Sequence, residues 1–503
     1  MLIWTLSWNR FSLFSFLALP LALIVLLVPG QIKAQISPTS TETSKLFASN
    51  GTFDERFGWA ISLDSNRVLI GAPTRAGDDL GAGSAYIYEF DGTNWTEIVK
   101  LTASDGANDD RFGLAVSLDG TRALVGAQWD EDKGEESGSA YLYEFDGTNW
   151  LEMSKLTASD GENFDLFGGA VALDGNHALI GVRGDNEAGS SGSVYSYQYD
   201  GNNWVEGSKL LPSNGSFNGG FGSSLSINGN QILIGASLEN GNANFTGAAY
   251  IFEFDGSSWT EVARLVASDG ATSDYFGRSV SLNGNVALVG AIKDGESGLV
   301  YVFEFDGSSW TEVNKLTASD GTADDGFGFS ISLENDLAVV GAPAAGFGGA
   351  AYLFKNNGSS WTEAAKLTSS DGIDVGTFGF AVSVDRDLAL IGAIGQHGNT
   401  VNTGASYVFE LNKLTSIQQM PSHLITVQPN PFQNRLEIDW TNFPYPIDEI
   451  RLMSVEGKNV LIEPVSSLYQ ERYLLSTPNL PKGLYFLEIR SSKGRIVKRV
   501  TQL

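Results

Sequence analysis

Residues 100–150 read KLTASDGANDDRFGLAVSLDGTRALVGAQWDEDKGEESGSAYLYEFDGTNW, and the rest of the chain is largely variations on this stretch. Its landmarks are Phe112-Gly113 and Gly126-Ala127. Phe-Gly returns at Phe57, Phe112, Phe167, Phe221, Phe276, Phe327 and Phe378, at spacings of 55, 55, 54, 55, 51 and 51 residues. A glycine followed by Ala or Val stands 14 residues after each Phe, at Gly71, Gly126, Gly181, Gly235, Gly290, Gly341 and Gly392. Seven copies with a constant internal offset are a structural repeat.

Each copy divides into four strand-like runs. In the second copy these are Leu114–Leu118, Arg122–Ala127, Ser139–Phe145 and Trp150 to about Ala158. Asp119-Gly120 between the first two runs predicts a two-residue type I′ hairpin turn, because Asp-Gly tolerates positive φ. Asp174-Gly175, Asn228-Gly229 and Asn283-Gly284 repeat it. Four antiparallel strands in about 50 residues make a propeller blade, and seven copies make a ring. The fold class is therefore all-β, a seven-bladed β-propeller over residues 44–416. A segment matching the fourth run, Lys45–Ser49, precedes the first copy, and the last copy has no Asp-Gly-x-x-Trp turn after Phe409. Lys45–Ser49 is expected to complete the last blade, with Lys413–Ser416 as its rival.

Composition sets limits on function. The chain of 503 residues has no Cys and only His177, His397 and His423, so thiolate chemistry, disulfides and clustered imidazoles are excluded. The net charge is −28, and residues 35–412 hold 18 basic against 51 acidic side chains. So acidic a domain repels nucleic acid and anionic membranes. Residues 1–34 read as a signal peptide: Arg10, an apolar run from Phe11 to Val28, then a small residue at Ala34. A membrane anchor is the competing reading, since the run is near the lower length for a span. No later segment is apolar enough to cross a bilayer.

Phe57-Gly58 with Gly71-Ala72-Pro73, and Phe327-Gly328 with Gly341-Ala342-Pro343, resemble the FG-GAP repeat of integrin α-subunit propellers, and more closely its bacterial variety. The integrin type often carries a calcium loop between the first two strands. Here only a two-residue turn fits that place, so those calcium sites are not carried over. After about Ser416 the repeat and the acidity stop. Residues 417–503 form a second domain, with strand-like stretches at Leu436–Trp440, Ile450–Ser454, Tyr473–Ser476, Gly483–Arg490 and Arg495–Val500. Its landmarks are Pro429, Asn430, Pro431 and Phe432, a Gly457-Lys458 turn, and a Leu480–Phe486 stretch containing Gly483 and Tyr485. These resemble the type A sorting domain of the type IX secretion system, which implies a small Ig-like β-sandwich, export through the outer membrane, and release or attachment at the cell surface. A sandwich that only packs on the propeller is the alternative.

Propeller topology puts the loops joining strands two and three, and strand four to the next blade, on one face. That face carries the variable, acidic loops: Asp78, Asp79, Asp109, Asp110, Asp130, Glu131, Asp132, Glu135 and Glu136, then Asp165, Asp185, Glu187, Asp274, Asp294, Glu296, Asp324 and Asp325. Either they offer oxygen donors to Ca²⁺ or a cationic ligand, or they keep a secreted protein soluble. Arg183-Gly184-Asp185 is an integrin-ligand tripeptide by sequence and a common chance match. The Trp set (Trp95, Trp150, Trp204, Trp259, Trp310, Trp361) follows a hairpin turn in each copy and reads as packing rather than a sugar platform. No nucleophile elbow, zinc motif or phosphate loop is present. The expected function is a non-catalytic binding or adhesion protein, secreted or on the outer surface, using the acidic face toward a protein or glycan and needing no cofactor. The alternatives are a carbohydrate hydrolase with carboxylates near the channel, or a structural surface component.

Overall fold

A computed structural model describes residues 42–51, 54–74, 81–185, 191–240, 244–293, 297–346, 348–371, 377–395, 403–411, 425–440, 447–454, 459–464, 472–477, 480–491 and 494–503. The elements there are β-strands. The first blade is Ile61–Asp64, Arg67–Ala72, Ser84–Phe90 and Trp95–Leu101, hydrogen-bonded in that order, and five further repeats give the same four-stranded sheet. The first strand of each blade touches the first strand of the next, and Phe378–Asp385 returns to Ile61–Asp64. The ring therefore closes, with first strands around the axis.

The two middle strands are buried on both faces, as in Arg67–Ala72 and Ser84–Phe90, while the outer Trp95–Leu101 exposes alternate residues. Stacking blades face to face demands this. A middle strand has a neighbouring blade on each side, so it reads as a continuous apolar run. Seven hydrophobic clusters each span one blade boundary; that between the first two joins Leu69, Ile87 and Leu101 to Phe112, Val125 and Tyr141. All seven Phe of the Phe-Gly pairs are fully buried. The two glycine motifs meet across the boundary. A Cβ on Gly126 would stand 2.0 Å from the carbonyl oxygen of Gly168, and one on Gly71 would meet that of Gly113 equally closely. Close approach, rather than turn geometry, requires the Gly of Gly-Ala.

The KLTASDG motif is a clamp between blades. Asp105 accepts a hydrogen bond from Tyr141 of the next blade (2.8 Å) and pairs with Lys155 (2.8 Å), which lies over the Tyr141 ring. Ser104 donates to Glu152 of the next outer strand at 2.7 Å. Asp160, Asp269, Asp320 and Asp371 each repeat the Tyr and Lys contacts. Asn50 and Asn214 stand in place of the Asp in two copies; there Glu55 receives the Tyr86 hydroxyl beside Asn50, and Glu239 receives that of Tyr250.

The seventh blade takes its outer strand from the chain's beginning. Ser44–Leu46 pairs antiparallel with Ala405–Glu410, Lys45 pairs with Asp371, and Phe57 bridges to Gly404. Ser370 donates to Glu42, the counterpart of Glu152 three residues before the Lys. The Lys45–Ser49 expectation thus locates the closing segment; Lys413–Ser416 lies outside the described residues.

The turn between strands one and two differs from expectation. Asp119 is the last strand residue, paired with Arg122, and the two-residue loop is Gly120-Thr121. Only Gly120 has positive φ (56°), so the turn is not type I′, which needs it at both positions. The Asp119 carboxylate instead accepts the Gly175 N–H of the next blade at 2.6 Å. Beside it, the Ser117 hydroxyl accepts the Leu173 N–H at 3.0 Å. Ser62, Ser226, Ser281, Ser332 and Ser383 make the same rung. In the third blade the place is taken by Ala172, which is buried. Ala172→Ser supplies the missing rung toward Ile227 N–H and is expected to add about 0.5–1.5 kcal/mol, raising Tm by about 1–3 °C. Calorimetry of Ala172→Ser beside Ser117→Ala checks it; a lowered Tm in both would discount the rung.

The C-terminal domain has two sheets, Thr426–Gln428 with Arg435–Asp439 and Arg472–Ser476, and Asn459–Pro464 with Ile447–Ser454, Gly483–Ser491 and Gly494–Gln502. Ile438, Leu475, Leu452, Leu487 and Ile496 share one core that includes no propeller residue.

Candidate functional site

The acidic residues of the loop face divide by burial. Asp110 is 4% exposed and accepts the Ala107 N–H at 2.6 Å, tying its own loop before Phe112-Gly113. Burial pushes its carboxyl up to about 6, against the pull of that N–H. Asp165, Asp274 and Asp325 are buried in the same bond to the N–H three residues back. Asp130 is 3% exposed, held by Ser139 (2.8 Å), Tyr141 (3.0 Å) and Lys155 (2.8 Å). Burial draws the Lys155 ammonium down, and Asp105, Asp130 and Asp132 outweigh that and hold it above its ordinary value. Asp185 bonds Ser193 and Lys209. These carboxylates turn inward and build the loops.

On the surface, Glu131, Asp132 and Glu135 are exposed, and Asp109 and Glu136 are half-buried. Asp132 pairs with Lys155 at 2.6 Å, and exposed Asp324 pairs with Lys293, which lowers its pKa. Asp78, Asp79, Glu187, Asp294 and Glu296 lie outside the described residues. Among the described residues no group of three or more Asp, Glu or His is placed to hold a metal ion. The tripeptide Arg183-Gly184-Asp185 is divided: Asp185 is 1% exposed, whereas the Arg183 side chain is open. A linear RGD ligand cannot be presented that way.

The outer Trp residues pack, as expected. Trp95, Trp150 and Trp310 lie against Phe90, Phe145 and Phe305 with ring centroids 5.3, 5.6 and 5.5 Å apart. His177 packs edge-on to Phe254 and Trp259, and burial lowers its pKa. His397 lies outside the described residues.

The centre of the loop face is different in kind. An open cavity of about 970 Å³ sits there, and the described residues lining it include no Asp or Glu. One repeat position contributes a residue to it from every blade. The residue directly after Phe-Gly is Trp59, Leu114, Gly169 or Ser223 in the first four copies, and Arg278, Phe329 or Phe380 in the last three. The position after Gly-Ala or Gly-Val adds Gln128, Arg183 and Ser237. Below the mouth the first strands line the channel with small and aliphatic side chains such as Ala115, Val116 and Val171. On one side of the mouth Phe329, Phe380 and Trp59 form an arc, with centroids 5.0 and 4.7 Å apart. Guanidiniums rest on rings at three places: Arg278 over Phe329 (4.4 Å), Arg56 over Trp59 (5.2 Å) and Arg111 over Trp129 (3.3 Å).

Arg111, Arg183 and Arg278 line the same cavity. Desolvation is the main force lowering the Arg111 and Arg278 pKa values; Arg56 and Arg183 add repulsion at Arg111, and Arg183 at Arg278, while Glu136 and Asp109 pull Arg111 the other way. Away from the cavity, Arg67, Arg122, Arg264, Arg386, Arg472 and Arg490 each pair with a carboxylate. Sequence reasoning passed over Arg111, Arg278, Trp59, Phe329 and Phe380, and weighed Arg183 only as part of Arg183-Gly184-Asp185. The signal available was the position after Phe-Gly, which changes among copies while its neighbours stay fixed.

In the tail, Phe432 is buried and its backbone bonds both Thr501 and Leu503, at 2.8 and 2.9 Å. The Asn430 side chain donates to the Arg499 carbonyl and accepts the Thr501 N–H, both at 3.0 Å. Pro429 and Pro431 are exposed beside it. The Tyr485 hydroxyl donates to the Pro481 carbonyl (2.7 Å), and Gly483 opens that strand. Gly457 and Lys458 lie outside the described residues.

A closed ring of seven four-stranded blades with a separately cored tail defines an all-β propeller protein with an appended terminal domain. The chain belongs to the FG-GAP repeat family: that model matches residues 40–88, 95–143, 150–197, 204–252, 259–303, 310–354 and 361–409. Each matched unit runs from the outer strand of one blade through three strands of the next, so the first begins on the closing strand. Residues 426–501 match the secretion system C-terminal sorting domain. That tail makes this a protein secreted or attached to the outer surface, and the type IX secretion machinery its partner in export. No curated protein matches the chain. No helix among the described residues is long and apolar enough to cross a membrane.

Proposed function

We propose that the propeller is a non-catalytic binding module presented outside the cell, and that its ligand seats at the centre of the loop face rather than on the acidic loops around it. The observation that carries this reading is the position after Phe-Gly. Six kinds of residue occupy it in seven copies, all at the mouth of one cavity, while the Phe-Gly beside it is constant. Rigid scaffolds place recognition where their copies differ. Catalysis by paired carboxylates needs acids at the site, and the described lining holds none.

The test is a panel of glycans and outer-surface proteins offered to the secreted protein. Saturable binding that weakens on Phe380→Ala is the expected result. Release of reducing ends or other products from any bound glycan would replace binding by catalysis.

A further inference from the structure

Resting on that reading, we propose that the channel mouth recognises an acidic sugar unit, its carboxylate held by Arg183 and Arg278 with Arg111 beside them, and its ring face laid on the arc of Phe329, Phe380 and Trp59. Three observations converge on this chemistry. First, the domain carries 51 acidic side chains against 18 basic, yet the described cavity lining contains Arg111, Arg183 and Arg278 and no acid. Guanidinium groups gathered in a lining without acids repel one another, Glu136 and Asp109 offsetting part of this at Arg111, and an oxyanion relieves the rest. Burial is the main cause of the lowered Arg111 and Arg278 pKa values, and repulsion from Arg183 adds to it at both. The Arg278 guanidinium is oriented by its ring contact with Phe329, which reduces the ordering needed on binding.

Second, the aromatic arc is apolar, half-buried and continuous. A flat ring with C–H groups on one face fits it, and a hydrated inorganic anion does not. Third, Gln128, Asn218, Ser223 and Ser237 also line the mouth and offer donors and acceptors for several hydroxyls. A carboxylate, an apolar face and hydroxyls together describe a uronic acid. The acidic loops outside the mouth oppose a long polyanion, whose distant charges meet like charge; a short oligosaccharide or chain end escapes this because screening acts beyond about 8 Å at physiological salt. A nucleic-acid strand is disfavoured on the same ground.

The experiment is calorimetric titration of the secreted protein with trigalacturonate, its methyl ester, maltotriose and hexaglutamate. Trigalacturonate is expected to bind, more weakly at higher salt, and the uncharged ester at least ten-fold less. Arg183→Gln and Arg278→Gln are each expected to weaken binding about ten-fold, and Phe380→Ala by a similar factor. Arg183 is exposed, so its variant tests the site even where Arg278→Gln perturbs packing. Equal binding of acid and ester, or tighter binding of hexaglutamate, overturns the sugar-acid assignment. Absence of trigalacturonate binding while another glycan or protein binds in a Phe380-dependent way overturns this inference and leaves the binding function standing. Hydrolysis of the oligosaccharide overturns the binding function itself.

Discussion

Removing residues 35–49 is expected to open the ring and lower the melting temperature by on the order of 10 °C. The deletion takes away the strand that, among the described residues, covers Ala405–Glu410 on its outer side. It also removes the buried Leu46 and Ala48 from the cluster joining the last blade to the first. Lys45 leaves Asp371 and Tyr407 without their cation, and Tyr88 and Glu97 lose their contacts to Phe47 and Ser49. Burying Leu and Ala contributes about 2–3 kcal/mol, and the hydrogen bonds about 1 kcal/mol each. A total near 5 kcal/mol in a domain this large corresponds to about 10 °C. The bared edge of Ala405–Glu410 invites pairing with another chain, so aggregation should accompany the shift. Calorimetry and amide exchange along Ala405–Glu410 measure both effects. Unchanged exchange there would show that the strand is dispensable for closure. A peptide of residues 41–50 added in trans is expected to restore protection, since it carries Glu42, Lys45 and Leu46.

The fold was legible because each blade repeats the same physical problem. A middle strand between two neighbours must be apolar throughout, and a boundary crossed by two backbones must have Gly on both sides. Those demands recur at a fixed offset and survive as Phe-Gly and Gly-Ala. Arg122–Ala127 and Ser139–Phe145 were read to the residue for that reason. The turn at Asp119 was misplaced because its carboxylate serves the neighbouring blade, at Gly175, an interaction no local pattern reveals. Two short tail strands, Thr426–Gln428 and Asn459–Pro464, lack a repeat to announce them.

The candidate site was less legible, for a related reason. A count of charges cannot tell a carboxylate that faces a ligand from one that holds a loop. Asp110, Asp130 and Asp185 carry charge in the sequence and are bound inside the protein. Arg183 and Arg278 are scattered in sequence, 95 positions apart, and come to line one cavity through the ring's curvature. Repetition reveals the scaffold, while the departures from repetition at one position reveal the centre of the face.

Deleting residues 425–503 is expected to abolish appearance of the propeller at the cell surface or in the medium while leaving it folded. The two parts have separate cores: Ile425 through Val500 form one cluster, and the propeller clusters contain none of these residues. Stability of the ring therefore does not depend on the tail, and the truncated chain should retain its melting temperature. Export depends on the matched sorting domain at residues 426–501. A point variant separates recognition from mere presence. Phe432 is buried against the last strand, and Phe→Ala in such a site costs about 3–5 kcal/mol, enough to unfold so small a domain. Phe432→Ala should then behave as the deletion does, whereas exposed Pro431→Ala leaves the core intact and reports on surface recognition alone. Fractionation of cells, with immunodetection of the propeller in periplasm, surface and medium, distinguishes these cases. Full export of the truncated chain would show that the information for crossing the outer membrane lies in the propeller. Loss on Pro431→Ala as well as Phe432→Ala would place the recognised surface at the Pro-Asn-Pro-Phe turn, where the Asn430 side chain already ties the turn to Arg499 and Thr501 and holds its exposed prolines in one orientation.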